Sequence, residues 1–144
     1  MSKSDAFEND ILDLFFKNVA IADLAENDTT SPATTLYFSL HTGDPGDAGT
    51  QATSETAYTG YARVGVTRGA GFTVTGNSVS PAANIDFAEC TAAPGSPITH
   101  FGIGTNATAG QAGYLMYSGT VTPNITMAAG VIPRLKTTST ITED

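Results

Sequence analysis

Apolar residues along this chain follow two different periods. Over residues 5–26 they recur three and four positions apart: Phe7, Ile11, Leu14, Phe15 and Ala22, with Asn18 among them, share one helical face. Asp5 followed by Glu8 fits a capping box, and acids in the first turn complement the helix dipole. Leu12, Phe16, Val19 and Leu24 widen the apolar stripe beyond what one packing surface needs. The helix therefore either lies deep against a sheet or turns one flank to another subunit. Asn27 to Pro32 is a polar stop.

Beyond it the period becomes two. Leu36, Phe38 and Leu40 alternate with Tyr37, Ser39 and His41 in a strand at 35–41. Residues 58–67 alternate again, with Ala62, Val64 and Val66 against Tyr61, Arg63 and Gly65. Residues 72–75 and 78–80 flank Gly76-Asn77 as a hairpin. Residues 84–88 follow. Residues 98–104 are apolar on both sides, as a central strand is, and 113–120 return as their partner. Further strand candidates lie in 121–129, 131–134 and 136–142. Eight or nine short strands with turn signals at near-regular spacing and no crossover helix predict an all-β fold. The expected architecture is an antiparallel, jelly-roll-like β-sandwich, with residues 1–30 as an N-terminal helical arm and 31–144 as the β-sandwich domain.

The strand at 136–142 reads Lys-Thr-Thr-Ser-Thr-Ile-Thr, β-prone but almost without apolar residues. Such a strand is either a solvated edge or one that pairs with a neighbouring subunit.

Composition narrows the function. Thr, Gly and Pro are plentiful, as pleated strands and their turns require, and charged residues make up only 14% of the chain, which is apolar enough to fold. Six Lys and Arg against 14 Asp and Glu give a net charge of -8. A phosphate-binding surface needs clustered cations, so neither nucleic acid nor an anionic membrane is an expected partner. Cys90 stands alone, which rules out an intrachain disulfide and reads as a small buried apolar residue. The opening MSKSDAFEND lacks the basic and apolar regions of a signal peptide, so synthesis in the cytoplasm is expected.

Catalytic and metal-binding patterns are missing. His41 and His100 are the only histidines and fall on separate strands; there is no His-Glu-X-X-His, no Cys-X-X-Cys and no Gly-X-Ser-X-Gly. Gly102-Ile-Gly104 lacks the third glycine and the helix of a dinucleotide site. Asp44-Pro45-Gly46 reads as a β-turn, although with Asp47 it has carboxylates a calcium ion could use. His100 reads as a hydrogen-bonded strand residue. The five tyrosines (Tyr37, Tyr58, Tyr61, Tyr114 and Tyr117) are better suited to packing than to a sugar platform, given no Trp. No enzymatic activity and no cofactor are expected.

Five segments carry a resemblance: LYFSLHTGDPGDAG at 36–49, YTGYARVGV at 58–66, an apolar-plus-acid strand ending in Phe87, ITHFGIGT at 98–105 and YLMYSGT at 114–120. Their order resembles a family of small structural proteins of tailed bacteriophages, over roughly residues 7–142. That resemblance implies a virion component, either a capsid decoration (cement) protein on the major capsid protein lattice or a tail or fibre-base component. Decoration proteins act by mass action, since binding only the assembled lattice stabilises it. Symmetric placement favours a dimer or trimer. The expected contact residues are Leu12, Phe15, Phe16 and Val19 on the helix, with Thr138 and Thr140 in the last strand.

Overall fold

A computed structural model describes residues 5–21, 33–92 and 94–143. The fold class is the expected one, antiparallel and all-β, with nine strands and one short N-terminal helix among the described residues. Strand β1 (Thr35–His41) pairs antiparallel with β6 (Ile98–Gly104), and β6 with β7 (Leu115–Ile125). With β2 (Val64–Thr67) they form a four-stranded sheet in the order β2-β1-β6-β7. The central position of β6 agrees with its apolar residues on both faces. β3 (Phe72–Thr75), β4 (Ser78–Pro81) and β9 (Ile141–Thr142) make a second sheet in that order. β5 (Ile85–Asp86) and β8 (Arg134–Leu135) form a two-stranded ribbon.

The described residues fall into two compact units. One draws on Met1–Thr35, Thr67–Ile85 and Leu135–Asp144, the other on Leu36–Val66 and Asp86–Arg134.

In the first unit the helix is shorter than its apolar stripe predicts. α1 runs Asp5–Leu12 and continues as a single π-helical turn, Asp13–Lys17. Asn18 then adopts the left-handed conformation (φ 63°, ψ 31°), and the amides of Asn18 and Val19 both turn back to the Asp13 carbonyl. Asn tolerates this conformation better than most residues, so it ends a helix in the way glycine often does. The periodicity placed Asn18 on the apolar face, where its capping role is invisible. Two further partners satisfy carbonyls left open at this end: the Gly69 amide donates to Phe16 (2.7 Å) and the Arg68 guanidinium to Leu14. The expected continuation over 22–26 lies outside the described residues.

α1 and its π turn pack on the β3–β4 hairpin. Leu12 and Phe16 are completely buried, and Phe16 meets Phe72 edge-on with ring centroids 4.9 Å apart. Val79, Ile85 and Leu135 are the other buried apolar residues of this unit. Gly76 takes φ +60° at the first central position of the two-residue turn, which suits the order Gly-Asn. The polar C-terminal segment is mostly not a strand. Only Ile141 and Thr142 pair, opposite Val79 and Ser78 of β4, while Thr138 and Thr140 are exposed outside any strand. Its single apolar residue, Ile141, is the one the sheet can half-bury.

In the second unit the core is Leu36, Phe38, Leu40, Tyr58, Phe87, Cys90, Ile98, Ile103 and Met127. Cys90 is the buried free thiol expected. The predicted strand at 58–67 survives only as β2, and Tyr58, Tyr61 and Arg63 turn their side chains to hydrogen-bonding partners off the ladder. Among the described residues, no helix is long and apolar enough to cross a membrane.

Candidate functional site

The polar residues of the second unit gather around one internal cluster. Arg63 is its centre. Its Nε and Nη2 donate to the two carboxylate oxygens of Glu55 at 2.7 and 2.8 Å, a bidentate pair with both side chains out of water. The remaining donors hold a loop: Nη1 reaches the Asn106 carbonyl (3.0 Å) and Nη2 also reaches that of Gln111 (2.8 Å). Glu55 accepts in addition from the Tyr61 hydroxyl and the Gly110 amide, both at 2.8 Å. The Leu40 amide donates to the Tyr61 oxygen, which ties the cluster to β1.

Burial pushes the Glu55 carboxyl up. The donors from Arg63, Gly110 and Tyr61 outweigh it and hold the group below the ordinary glutamate value of 4.5. The Tyr61 hydroxyl is raised, first by burial and then by the neighbouring carboxylate, so it stays a donor.

Gln51 is the second anchor. It is fully buried, donating to the Tyr37 carbonyl (3.1 Å) and accepting from the Asn106 amide (2.8 Å). Its amide lies flat against two glycines. A Cβ at Gly104 would come within 2.4 Å of Gln51 Cδ, and one at Gly113 within 2.4 Å of Gln51 Oε1. Asn106 completes the turn, its Oδ1 accepting from the Thr108 amide at 2.8 Å.

His41 and Ser39 form the pair that most resembles catalytic chemistry. Nδ1 of His41 lies 2.8 Å from the Thr53 carbonyl, which can only accept, so Nδ1 carries a proton and Nε2 of the neutral ring accepts from Ser39 Oγ at 2.8 Å. A hydroxyl beside a base oriented by a third group is the arrangement of a nucleophile. Here both residues are wholly buried, and Gly102 of β6 lies over them: a Cβ there would sit 2.8 Å from each. Ser39 and His41 expose no surface, and their hydrogen bonds join β1 to the 50–56 loop.

Burial lowers the His41 pKa from 6.5, against the opposing pull of the Thr53 carbonyl and Glu55. A base with a depressed native pKa gives full stability above pH 6.5, because neither state then binds the proton. Below 6.5 the unfolded chain takes up a proton that the native one refuses. Stability is therefore expected to fall from pH 6.5 downward, by as much as about 1.4 kcal/mol per pH unit, until the native pKa is reached. Urea midpoints measured between about pH 8 and pH 5 read this directly. His41→Gln should flatten that limb, and a wild-type curve level across it would show that His41 is protonated in the native chain.

The other sequence candidates have structural places. His41 and His100, distant in sequence, are directly opposed in the β1–β6 register, and His100 Nδ1 bonds Thr99 Oγ1 at 2.9 Å. Asp44 Oδ1 accepts from the Gly46 amide (2.9 Å), but the backbone turn lies two residues beyond the expected one, with the Gly49 amide donating to the Gly46 carbonyl at 3.0 Å. Tyr58 and Tyr61 meet edge-on at 5.3 Å, and Tyr61 stacks on Phe87, so these two do not form an open platform. Of the residues expected to make subunit contacts, Leu12 and Phe16 lie inside the first unit because the β3–β4 hairpin claims that side of the helix. Phe15 and Val19, at 43% and 49% exposure, remain on the surface, as do Thr138 and Thr140. The Glu55–Arg63 pair escaped the sequence reading, since alternation alone put Arg63 on a polar strand face.

The polar residues of this fold brace its own loops. Arg63 is internal, Arg68 caps the helix and Arg134 pairs with Asp86, so three of the six cations serve the chain's own architecture. The chain matches the profile of the podophage GP4 fiber I protein gp80 family over residues 2–142 and belongs to that family. It is thus a small structural protein of the tailed-phage, fibre-associated kind. No curated protein matches it. The segments carrying the sequence resemblance supply His41, Tyr61, Arg63, Gly102 and Gly104 to the polar cluster.

Proposed function

We propose that this chain is a fibre-associated subunit of the virion tail that works by binding another virion protein through its surface. The internal use of Arg63, Glu55, His41 and Ser39 carries this reading, because the groups best able to do chemistry are committed to holding loops. Membership of a fibre protein family supports a fibre position over the capsid decoration role anticipated from sequence. Under the decoration reading the partner is the major capsid protein; under the fibre reading it is a tail protein. Neither reading calls on nucleic acid, and the net charge of -8 disfavours it.

Copy number separates the two. Quantitative mass spectrometry of purified virions, with gold-labelled antibody to this chain in electron micrographs, is expected to give few copies per particle and label at the tail. A copy number of the order of the major capsid protein, with label over the head, would establish the decoration role instead.

A further inference from the structure

The connection between β6 and β7 is longer than their pairing requires. Antiparallel neighbours need only about two to five residues to turn. Gly104 and Leu115 are register partners, yet ten residues, 105–114, lie between them. The Thr105 amide donates to the Tyr114 carbonyl (3.2 Å), so the segment leaves and rejoins the sheet at one point. Closed surface loops of this kind are frequently functional.

The loop is held in one shape from beneath. Gln51 accepts from the Asn106 amide, and its own backbone amide donates to the Gly113 carbonyl at 3.2 Å. Arg63 donates to the carbonyls of Asn106 and Gln111, and Glu55 accepts from the Gly110 amide. A buried ion pair adds little net stability over apolar packing. Here it fixes the backbone of an exposed loop, and a loop ordered beforehand binds more tightly because it loses less freedom on contact.

What the loop presents outward is uncharged. Between Glu89 and Arg134 the sequence contains no Asp, Glu, Lys or Arg. Thr105, Thr108 and Gln111 are exposed, and their side chains make no hydrogen bond within the described residues. Tyr114, which pairs with Thr105 at the base of the loop, is 74% exposed, while the other four tyrosines are buried or half-buried.

We propose that the 105–114 loop binds a neutral saccharide, with the Tyr114 ring as its stacking surface and Thr105, Thr108 and Gln111 as its hydrogen-bonding groups. The C–H face of a sugar ring is slightly positive and lies well against the negative face of an aromatic ring. Sugar hydroxyls donate and accept, as do two threonine hydroxyls and one carboxamide. Size selects this ligand over a protein: a stable protein interface takes about 20–30 residues a side, whereas ten residues with one large ring match a few sugar units. Charge selects it over an acidic polymer, since a chain of net charge -8 offers that polymer no cation on this loop. The site is additional to contact with another virion protein. Because it is measured on the isolated chain, its outcome is independent of where the virion holds the protein.

The isotope-labelled full chain, titrated with neutral hexasaccharides of glucose, galactose, mannose and N-acetylglucosamine, should show amide shifts centred on 105–114 with at least one of them. One open site of this size predicts a dissociation constant on the order of 1 mM. Tyr114→Ala should weaken binding by about tenfold, and Tyr114→Phe, which keeps the ring, by less. Ile132→Ala, which trims an exposed apolar residue elsewhere in the unit, should leave binding unchanged. Hexagalacturonate, an acidic hexasaccharide, should shift nothing. No shift with any of the neutral sugars at concentrations well above that constant overturns the proposal. So do shifts centred outside 105–114, equal shifts with hexagalacturonate, or binding that survives Tyr114→Ala in full. If Tyr114→Ala fails to fold, the shifts in the wild-type chain decide alone.

Discussion

Arg63→Ala is expected to destabilise the chain by about 3–5 kcal/mol, the usual consequence of leaving one half of a buried ion pair alone. Glu55 would keep only the Tyr61 hydroxyl and the Gly110 amide, and the carbonyls of Asn106 and Gln111 would lose their donor. For a chain of this length that is a fall in melting temperature on the order of 10 °C. Arg63→Lys keeps the charge but cannot form the planar fork, so it should fall in between. Hydrogen exchange should accelerate in 105–113 before other segments, since that loop depends on Arg63. A melting temperature within a degree or two of wild type would mean that the loop is held by other means.

The same pair sets an acid limit. Glu55 has a native pKa below its ordinary 4.5, so its contribution is complete above 4.5 and is lost as pH falls through the native value. This limb lies below the one expected from His41, and Arg63→Ala should remove most of it while leaving the His41 limb in place.

Phe16→Ala should cost about 3–5 kcal/mol through the cavity it leaves, with the loss of its edge-on partner Phe72 contributing to the same total. Phe15→Ala, one residue away and 43% exposed, should change stability by no more than about 0.5 kcal/mol. Urea midpoints for the two variants test the contrast, and exchange in 72–81 should rise only for Phe16→Ala. Equal effects would mean that both rings share the interior. The comparison also fixes how the helix can be used in binding studies. Substitution at Phe16 perturbs the fold, whereas Phe15 and Val19 can be changed to ask whether a partner meets this flank.

Much of the fold was legible in the residues themselves. Alternation over 35–41 and the two-sided apolar run at 98–104 located β1 and β6 to the residue, because a strand with one or both faces buried imprints that burial directly on the sequence. Gly76-Asn77 marked the β3–β4 hairpin for an equally local reason: a two-residue turn demands a positive φ. Local rules failed where partners come from afar. Residues 58–63 alternate like a strand, yet Tyr61 and Arg63 answer to Glu55, Asn106 and Gln111. The apolar stripe of residues 5–26 extends past the point where Asn18 turns the chain, and its cap is completed by Arg68 and Gly69.

By itself, then, the sequence determined the all-β class, the place of the helix, the main strands, the scarcity of cations and the order of segments shared with a phage structural family. Each of these is written in composition or in periods spanning a few neighbours. Only the tertiary structure decided that His41 joins β1 to the 50–56 loop, that Leu12 and Phe16 face inward, and that Tyr114 stands exposed on a loop held from beneath. Those outcomes depend on which strands lie side by side. Pairings such as His41 with His100, or Glu55 with Gly110, join residues tens of positions apart whose spacing carries no local signal.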